Sequence, residues 1–351
     1  MKLQDKKTKQ KVVVGLSGGV DSSVTAYLLQ QDGYEVEGIY MKLHNIIPHY
    51  HEKNIAAIEK VAKFLNIKYH IIDLTEKFNN EVYEYFVNSY IEGTTPNPCV
   101  KCNQTIKFGA LYDAAMKLNA DYLATGHYAA TDGDFVYCAK DLTKDQSYFL
   151  GQIDKKVLKK VMFPMSKYTK EEIKQIAMQI PQFQEIAIQK ESQEICFVPN
   201  TYIDILKKHT NIDRKGDTLD INGNVIGHHK GYMHYTIGKR KGFYVHGAHE
   251  PHFVLSQDKE NNTITVGKRE QLAVKTVIIN KLNMFITQTS FKADVKLRFR
   301  SKTLSANIIL DNNDTATILL DENAYGVAIG QVAVFYHNNK LIGSGYIIKV
   351  L

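Results

Sequence analysis

The sequence predicts an α/β fold: a doubly wound, mostly parallel sheet with a helical extension, followed by two small all-β, barrel-like domains. Apolar strand segments alternate with helical segments up to about residue 127, which is typical of a parallel sheet. From about residue 216 the chain changes to short alternating runs separated by turn pairs such as Asn222-Gly223 and Asn261-Asn262. We therefore expect three domains, at residues 1–198, 199–273 and 274–351.

The strands of the first domain are short apolar runs, and its helices show apolar residues at helical spacing. Residues 11–16 form a β-branched run, and the helix that follows ends before Gly33. Ligands of such sheets bind at the carboxyl ends of strands, where the turn after Leu16, Met41 and Gly126-His127 all fall. The further predicted strands are 35–41, 68–74 and 121–127, and the further predicted helices are 55–65, 77–91, 106–118 and 170–178.

The second half of the chain is predicted to consist of hairpins. Residues 253–257 and 263–266 alternate apolar and polar side chains on either side of an Asn-rich turn. Further strands are expected at 295–299, 315–320 and 332–336, which together favour two small barrels.

Bulk composition restricts the class of protein. No apolar run approaches the roughly 20 residues that span a bilayer, and the first seven residues are polar, so we expect a cytoplasmic protein without membrane contact. The net charge of +7 is compatible with a polyanionic partner. Four cysteines in a reducing compartment do not suggest a disulfide framework.

The turn between the first strand and its helix reads Ser17-Gly18-Gly19-Val20-Asp21-Ser22-Ser23. Two glycines allow close backbone approach, and amides at a helix start bind phosphate. Asp21 can help to hold Mg2+. The motif lacks the Gly-Lys-Ser/Thr of a Walker loop and is not Gly-x-Gly-x-x-Gly. It resembles the pyrophosphate loop of ATP pyrophosphatases; the alternative is a Ser/Gly-rich turn without a ligand.

Two segments present cysteines. In residues 94–103 a proline-stiffened loop places Cys102 before a predicted helix, with Lys101 and Lys107 nearby, which favours a reactive thiolate. A zinc knuckle, a thioredoxin-like dithiol and simple core packing are the alternatives. Cys196 lies in a second segment, residues 191–199, which could also be a buried strand, and Cys138 is predicted to be a core residue.

Together these motifs closely resemble one family, the tRNA-specific 2-thiouridylases. The resemblance is near full length. Its motifs are the pyrophosphate loop, Thr95-Pro96-Asn97-Pro98 with Cys102-Asn103, Ala124-Thr125-Gly126-His127-Tyr128, Lys144-Asp145-Gln146-Ser147-Tyr148-Phe149-Leu150, Ile195-Cys196-Phe197 and Thr236-Ile237-Gly238-Lys239-Arg240-Lys241-Gly242.

The resemblance implies an enzyme that uses ATP and Mg2+ to adenylate the 2-oxygen of the wobble uridine (position 34) of tRNA, with release of pyrophosphate. A persulfide sulfur then displaces AMP. The implied partners are the tRNA anticodon stem-loop and a persulfide donor or relay protein. The implied catalytic residues are Cys102, the nucleophile, and Cys196, the persulfide carrier. The implied ATP-binding residues are Gly15, Leu16, Ser17, Gly18, Gly19, Val20, Asp21, Ser22, Met41 and Gly126. Asn97, Pro98 and Cys99 match the segment that contacts the target base, and His127, Lys144, Asp145, Gln146, Arg298, Phe299 and Gln331 match tRNA-contacting positions.

One position departs from the family pattern. Many members carry an aspartate where this chain has Cys99, so acid–base assistance there is in doubt. The change creates Cys99-x-x-Cys102 beside a distant Cys196, and three thiolates are a plausible ligand set for a [4Fe–4S] cluster. A cluster-dependent route to the same thiolation is therefore a second hypothesis.

Two other functions stay open from sequence. An ATP pyrophosphatase that aminates a small molecule, as argininosuccinate and GMP synthetases do, would need neither Cys102 nor Cys196. A tRNA-binding protein without catalysis would need no pyrophosphate loop. Basic residues of the β region (Arg298, Arg300 and Lys302; Lys239, Arg240 and Lys241) suit tRNA or are simply solvated, and the loop with His44, His49 and His51 has no regular metal-ligand spacing.

Overall fold

The computed structural model describes residues 9–189, 195–247, 249–311 and 314–351. The polar start of the chain and the first part of the second cysteine segment lie outside these residues. The chain divides into two compact units. The first unit holds the described residues up to 79, 102–189 and 339–341, and the second holds 80–101, 195–338 and 342–351.

A five-stranded, fully parallel sheet forms the centre of the first unit. Its order is β3-β2-β1-β4-β7, so the chain steps outward from β1 in one direction and then returns to its other side. This confirms the predicted doubly wound sheet. The strands of the unit are β1 (Lys11–Gly15), β2 (Glu35–Lys42), β3 (Tyr69–Asp73), β4 (Tyr122–Ala124), the hairpin strands β5 (Ala129–Thr131) and β6 (Val136–Cys138), and β7 (Val161–Met162).

The helices of the chain include two π-helical segments, Asn79–Tyr83 and Asn103–Leu111. The α-helices are α1 (Val20–Gln31), α2 (Tyr50–Leu65), α3 (Thr75–Phe78), α4 (Glu84–Ile91), α5 (Pro98–Cys102), α6 (Tyr112–Lys117), α7 (Lys170–Gln179), α8 (Gln184–Ala187) and α9 (Tyr202–Leu206). The 3₁₀ helices are Ser147–Leu150, Lys155–Lys160, Pro164–Lys167, Pro181–Phe183, Tyr232–His234 and Arg269–Leu272.

The core of the first unit lies between the sheet and helices α1, α2 and α7. Val12 and Val14 of β1 are fully buried and pack in one cluster with Leu29 of α1 and Ile58 of α2. The amphipathic spacing of α2 buries Ile58, Val61, Ala62 and Leu65, as the sequence pattern predicts. This packing fixes the carboxyl end of β1, where the loop at Ser17 begins.

The helix predicted from residue 106 begins earlier than expected. Helical structure starts at Pro98 and continues through α5, the π segment and α6. Asn97 explains the start, because its side-chain oxygen accepts a hydrogen bond from the Val100 amide at 3.2 Å, and proline is favoured at the first helical position. Cys102 therefore lies within helical structure and does not precede it, so the helix-start argument for its reactivity was wrong.

The second unit contains two β structures. Strands β8 to β12 form a five-stranded sheet of order β10-β9-β8-β12-β11, in which β8 and β12 are parallel. Strands β13 to β18 form a barrel of order β13-β16-β15-β14-β17-β18, which closes through pairing of β13 with β18. The predicted all-β region is confirmed. The strands are β8 (Gly216–Leu219), β9 (Val225–His229), β10 (Tyr244–Val245), β11 (Phe253–Asp258), β12 (Thr263–Gly267), β13 (Ala273–Met284), β14 (Ser290–Lys296), β15 (Leu304–Leu310), β16 (Thr315–Tyr325), β17 (Val332–His337) and β18 (Lys340–Val350).

In the described parts of the chain, no helix combines the length and the apolar character that crossing a membrane requires.

Candidate nucleotide and thiol sites

The loop at the carboxyl end of β1 is a tight turn built from serines and glycines. Gly18 has a φ of +79°, and a Cβ added there would lie 3.0 Å from the Asn54 carbonyl oxygen, so glycine is required. The Ser22 hydroxyl accepts from the Ser17 amide at 3.1 Å and donates to the Gly19 carbonyl at 3.1 Å. These bonds fold the loop back on itself at the start of α1.

Gly126 lies directly against this loop. A Cβ added to Gly126 would be 3.1 Å from the backbone carbon of Asp21 and 3.1 Å from the amide nitrogen of Ser22. Strand β4 ends at Ala124, earlier than predicted, and Gly126, two residues beyond it, meets the loop. The first unit thus brings together two segments predicted to bind ATP.

These two segments meet where open α/β sheets bind ligands. Strand β1 lies between β2 and β4, and the chain changes direction at this point of the sheet. Met41, another predicted ATP-binding residue, is half-buried near the end of β2, the strand on the other side of β1. The arrangement offers amides, hydroxyls and a helix start to a phosphate.

Two residues that were not among the predicted site residues hold Asp21. The Lys170 ammonium lies 2.7 Å from both carboxylate oxygens, and the Tyr128 hydroxyl donates to one of them at 2.8 Å. Lys170 is the first residue of α7, whose start is fixed by a capping box between Thr169 and Glu172. The Thr-x-x-Glu pattern signals a helix start, but no local pattern predicts a contact across 149 residues.

Cys102 is buried, and the π-helical segment that follows it carries further polar side chains. The Asn103 amide donates to the Phe149 carbonyl at 3.0 Å. Lys107 places its ammonium 3.3 Å from Nε2 of His127, and Nδ1 of His127 lies 2.8 Å from the Thr125 hydroxyl. Burial, reinforced by the Lys107 charge, holds the pKa of His127 well below its ordinary value, so this imidazole is neutral.

Residues 144–146, predicted to contact tRNA, make contacts inside the first unit. The buried Asp145 carboxylate accepts from the Ala139 amide at 3.0 Å and from the Ser147 hydroxyl at 2.7 Å. The Gln146 side chain accepts from the Tyr128 amide at 3.0 Å. Asp145 and Gln146 therefore brace this segment, and Lys144 is the half-buried cationic member of the three.

In the second unit, the loop before α5 is held by the segment that leads into β17. Gln331 donates from its side-chain nitrogen to the carbonyls of Thr95 and Pro96, at 3.0 Å each. The Thr95 amide donates to the Ile329 carbonyl at 2.9 Å. Asn97 is buried, and its side chain caps α5. Its backbone amide donates to the Tyr85 hydroxyl at 3.4 Å. Cys99, half-buried, follows on the first turn of α5.

Cys196 is exposed in a turn of the second unit, so the predicted alternative of a buried strand is wrong. Its neighbour Phe197 is fully buried and packs edge-on against Phe86, with ring centroids 5.2 Å apart. Phe197 thus anchors the turn, and Cys196, which precedes it, exposes its thiol to solvent. Sequence periodicity could not separate these roles, since both side chains are apolar.

Arg298 and Phe299, also predicted to contact tRNA, follow β14 and are half-buried. The Arg298 carbonyl accepts from the Ser301 hydroxyl at 2.9 Å, and the Lys296 ammonium lies 5.6 Å from the Phe299 ring centre. This turn carries positive charge on the barrel. Among the described residues, no group of three or more His, Cys, Asp or Glu side chains is arranged to hold a metal ion.

Three family models match the chain in succession. Residues 10–200 match a "tRNA methyl transferase HUP domain", residues 203–268 a "tRNA methyl transferase PRC-barrel domain", and residues 269–347 an "Aminomethyltransferase beta-barrel domain". The tRNA-specific 2-thiouridylase MnmA 1 of Aliarcobacter butzleri is 59% identical over 341 residues, which are 97% of this chain and 99% of that protein. The chain belongs to the tRNA-specific 2-thiouridylase family.

A second relative supports the same family. The tRNA-specific 2-thiouridylase MnmA of Sulfurimonas denitrificans is 51% identical over 339 residues, 96% of this chain and 98% of that protein. Among solved structures, the U34-tRNA thiolase NcsA from Methanococcus maripaludis with its [4Fe-4S] cluster is 24% identical, with a TM-score of 0.37, over 57% of this chain and 65% of that chain; this likeness is too low to assign anything here. The family, the enzyme class and the α/β-plus-barrel fold predicted from sequence are confirmed.

Proposed function

We propose that this 2-thiouridylase adenylates the 2-oxygen of the wobble uridine of tRNA with ATP and replaces that oxygen by sulfur from a cysteine persulfide. The observation that supports it most directly is the close approach of Gly126 to the Asp21–Ser22 backbone, which brings two predicted ATP-binding segments together at the switch point of the sheet. A buried thiol, Cys102, belongs to the same unit.

The chemistry explains why both a phosphate cradle and thiols are needed. A uracil carbonyl oxygen is a poor leaving group, and transfer of AMP to it, with release of pyrophosphate, makes it a good one. The loop amides and the start of α1 would stabilise the negative charge that develops on the phosphates. Mg2+ would neutralise part of that charge, and Asp21, which could help to hold it, is paired with Lys170 in this structure.

The sulfur step needs two cysteines. In our proposal Cys196 carries the sulfur as a persulfide, whose terminal sulfur attacks C2 of the base as AMP leaves. The Cys102 thiolate then attacks the Cys196 Sγ, which breaks the S–S bond, leaves one sulfur on the base and joins the two cysteines in a disulfide. A thiol reductant supplies two electrons to restore both thiols.

The exposure of the two cysteines suits these roles. Exposed Cys196 is accessible to a persulfide relay protein, and its turn is anchored by Phe197. Buried Cys102 is shielded from adventitious oxidation. The cluster-dependent alternative through Cys99, Cys102 and Cys196 is tested by iron and sulfide analysis of anaerobically purified protein; iron-free, fully active protein would exclude it.

The decisive experiment is mass spectrometry of nucleosides from tRNA incubated with the protein, ATP, Mg2+ and a persulfide source. We expect 2-thiouridine with the native chain and with Cys138→Ala, the matched thiol control in β6. Cys196→Ala should bind tRNA yet form no thiouridine, because the carrier is gone. Normal thiolation by Cys196→Ala would refute the persulfide role, and an aminated small molecule in place of thiouridine would point to the synthetase alternative.

A further inference from the structure

The carboxylate of Asp21 does not fit a magnesium ion as it stands. Oδ1 accepts from both the Lys170 ammonium and the Tyr128 hydroxyl, and Oδ2 accepts from Lys170. The carboxylate is therefore already neutralised by a cation of the protein. This differs from the sequence expectation, in which Asp21 helps to hold Mg2+.

Lys170 is a built part of the loop. Its side chain is 9% exposed, which for lysine requires a paired charge. Its backbone amide donates to Asp141 at 3.0 Å, and its ammonium lies 5.8 Å from the centre of the Tyr128 ring. The ion pair joins the start of α7 to the pyrophosphate loop, and both belong to the first unit.

We propose that Lys170 is an exchangeable counter-ion of the pyrophosphate loop. In the nucleotide-free protein it occupies Asp21, so that Mg2+ enters with ATP and not ahead of it. When the nucleotide binds, the Lys170 ammonium leaves the carboxylate and pairs with the phosphates, which lysine side chains commonly bind. This inference rests on the use of ATP in the proposed function and adds Lys170 to the residues that bind it.

The exchange predicts a distinctive response to removal of Asp21. The probe is the α,β-methylene analogue of ATP, which resists cleavage between the α and β phosphates, measured by titration calorimetry in metal-free buffer. Asp21→Asn should raise its affinity about tenfold, because the ammonium no longer has to leave a carboxylate. In the double variant Asp21→Asn/Lys170→Met this gain should vanish.

A second arm uses saturating Mg2+. Here Lys170→Met should lower the affinity for the analogue about tenfold or more, and Lys170→Arg should recover most of it. Lys207→Met is the matched control, because Lys207 also pairs with an aspartate, Asp213 at 2.9 Å, but is half-exposed and lies in the second unit. We expect it to bind like the native chain, and circular dichroism checks that each variant is folded.

Several outcomes would overturn the inference. If the gain in affinity for the analogue persists in the double variant, only the negative charge of Asp21 matters. If Asp21→Asn gives no gain in affinity, Lys170 does not exchange and its contact with Asp21 is purely structural. Electron paramagnetic resonance supplies a further test: Mn2+ that binds the native protein before nucleotide, with a signal that is lost in Asp21→Asn, contradicts the exchange. If the native chain bound no analogue under any condition, the proposed use of ATP would itself fail.

Discussion

Individual side chains of the first unit show where local sequence reasoning succeeds and where it ends. The serines and glycines at 17–22 were predicted to form a phosphate loop because each residue type has a local cause for its place. Gly126 was selected because it follows a strand, and its contact with Asp21 explains why a side chain would not fit. Lys170 escaped prediction, since its partner lies 149 residues away in the sequence.

His127 makes stability depend on pH. Burial and the nearby Lys107 charge depress its pKa in the folded protein, whereas the unfolded chain titrates near the ordinary 6.5. Below about pH 6.5 the unfolded state therefore takes up a proton that the folded state refuses, and stability falls as pH decreases, by at most ~1.4 kcal/mol per pH unit. Above that pH both states are neutral and the effect is absent.

We expect His127→Gln to reduce this pH dependence. Between pH 7.5 and 5.5, urea unfolding should show a loss of stability about 1 kcal/mol smaller in the variant than in the native chain. His246→Gln is the control, because that side chain is exposed in the second unit. Equal slopes in the native chain and in His127→Gln would show that His127 is not the group that titrates.

At the scale of elements, the loop before α5 is positioned by the segment that leads into β17. Gln331 holds the Thr95 and Pro96 carbonyls, and Gly330 must be glycine there, since a Cβ would lie 2.9 Å from the Thr95 oxygen. The role predicted for Gln331, contact with tRNA, stays a prediction. Its observed bonds orient the backbone that leads to Cys99.

The sequence Asn97-Pro98 carries a helix-start signal. An asparagine followed by proline is typical of a helix start, and it agrees with the observed beginning at residue 98 better than the predicted beginning at 106 does. The π segment that follows, which buries Ile106 and Leu111, has no such signal in the sequence.

Capping by Asn97 can be separated from its proposed contact with the target base. Asn97→Ala should cost ~1 kcal/mol of stability, because the Val100 amide loses its partner, whereas Asn97→Ser, which can still accept that bond, should cost under about 0.5 kcal/mol. Urea unfolding measures both. Equal losses in the two variants would contradict the cap, and loss of thiolation by a stable Asn97→Ser would support the base contact.

At the scale of the whole molecule, the order of elements and the barrel-like character were predictable, and the strand pair that closes the barrel was not. Alternation of strand and helix reveals a parallel sheet because each crossover needs a covering helix. Barrel closure depends on pairing of β13 with β18, which are far apart in sequence and contain irregularities in register near Asn280. Alternating apolar residues predict such strands but do not specify their partners.

The basic charge of the chain predicts how tRNA binding responds to salt. Contacts between cations and phosphates release counterions, so the logarithm of the association constant should fall linearly with the logarithm of salt concentration. With a net charge of +7 and a half-buried Arg298 on the barrel, we expect a steep fall in filter-binding or fluorescence titrations. Arg298→Gln should reduce the slope by about 1 if this side chain meets one phosphate.

Lys292 of β14 separates a specific contact from a change in net charge. It is exposed and pairs with Asp321 at 3.0 Å, so Lys292→Gln removes the same charge at a position with no predicted tRNA contact. Its slope should match that of the native chain. If both variants changed the slope equally, the net charge of the whole molecule would account for binding, and Arg298 would make no specific phosphate contact. If neither variant changed the slope, the barrel turn would not contact the phosphates, and other cations of the chain would do so.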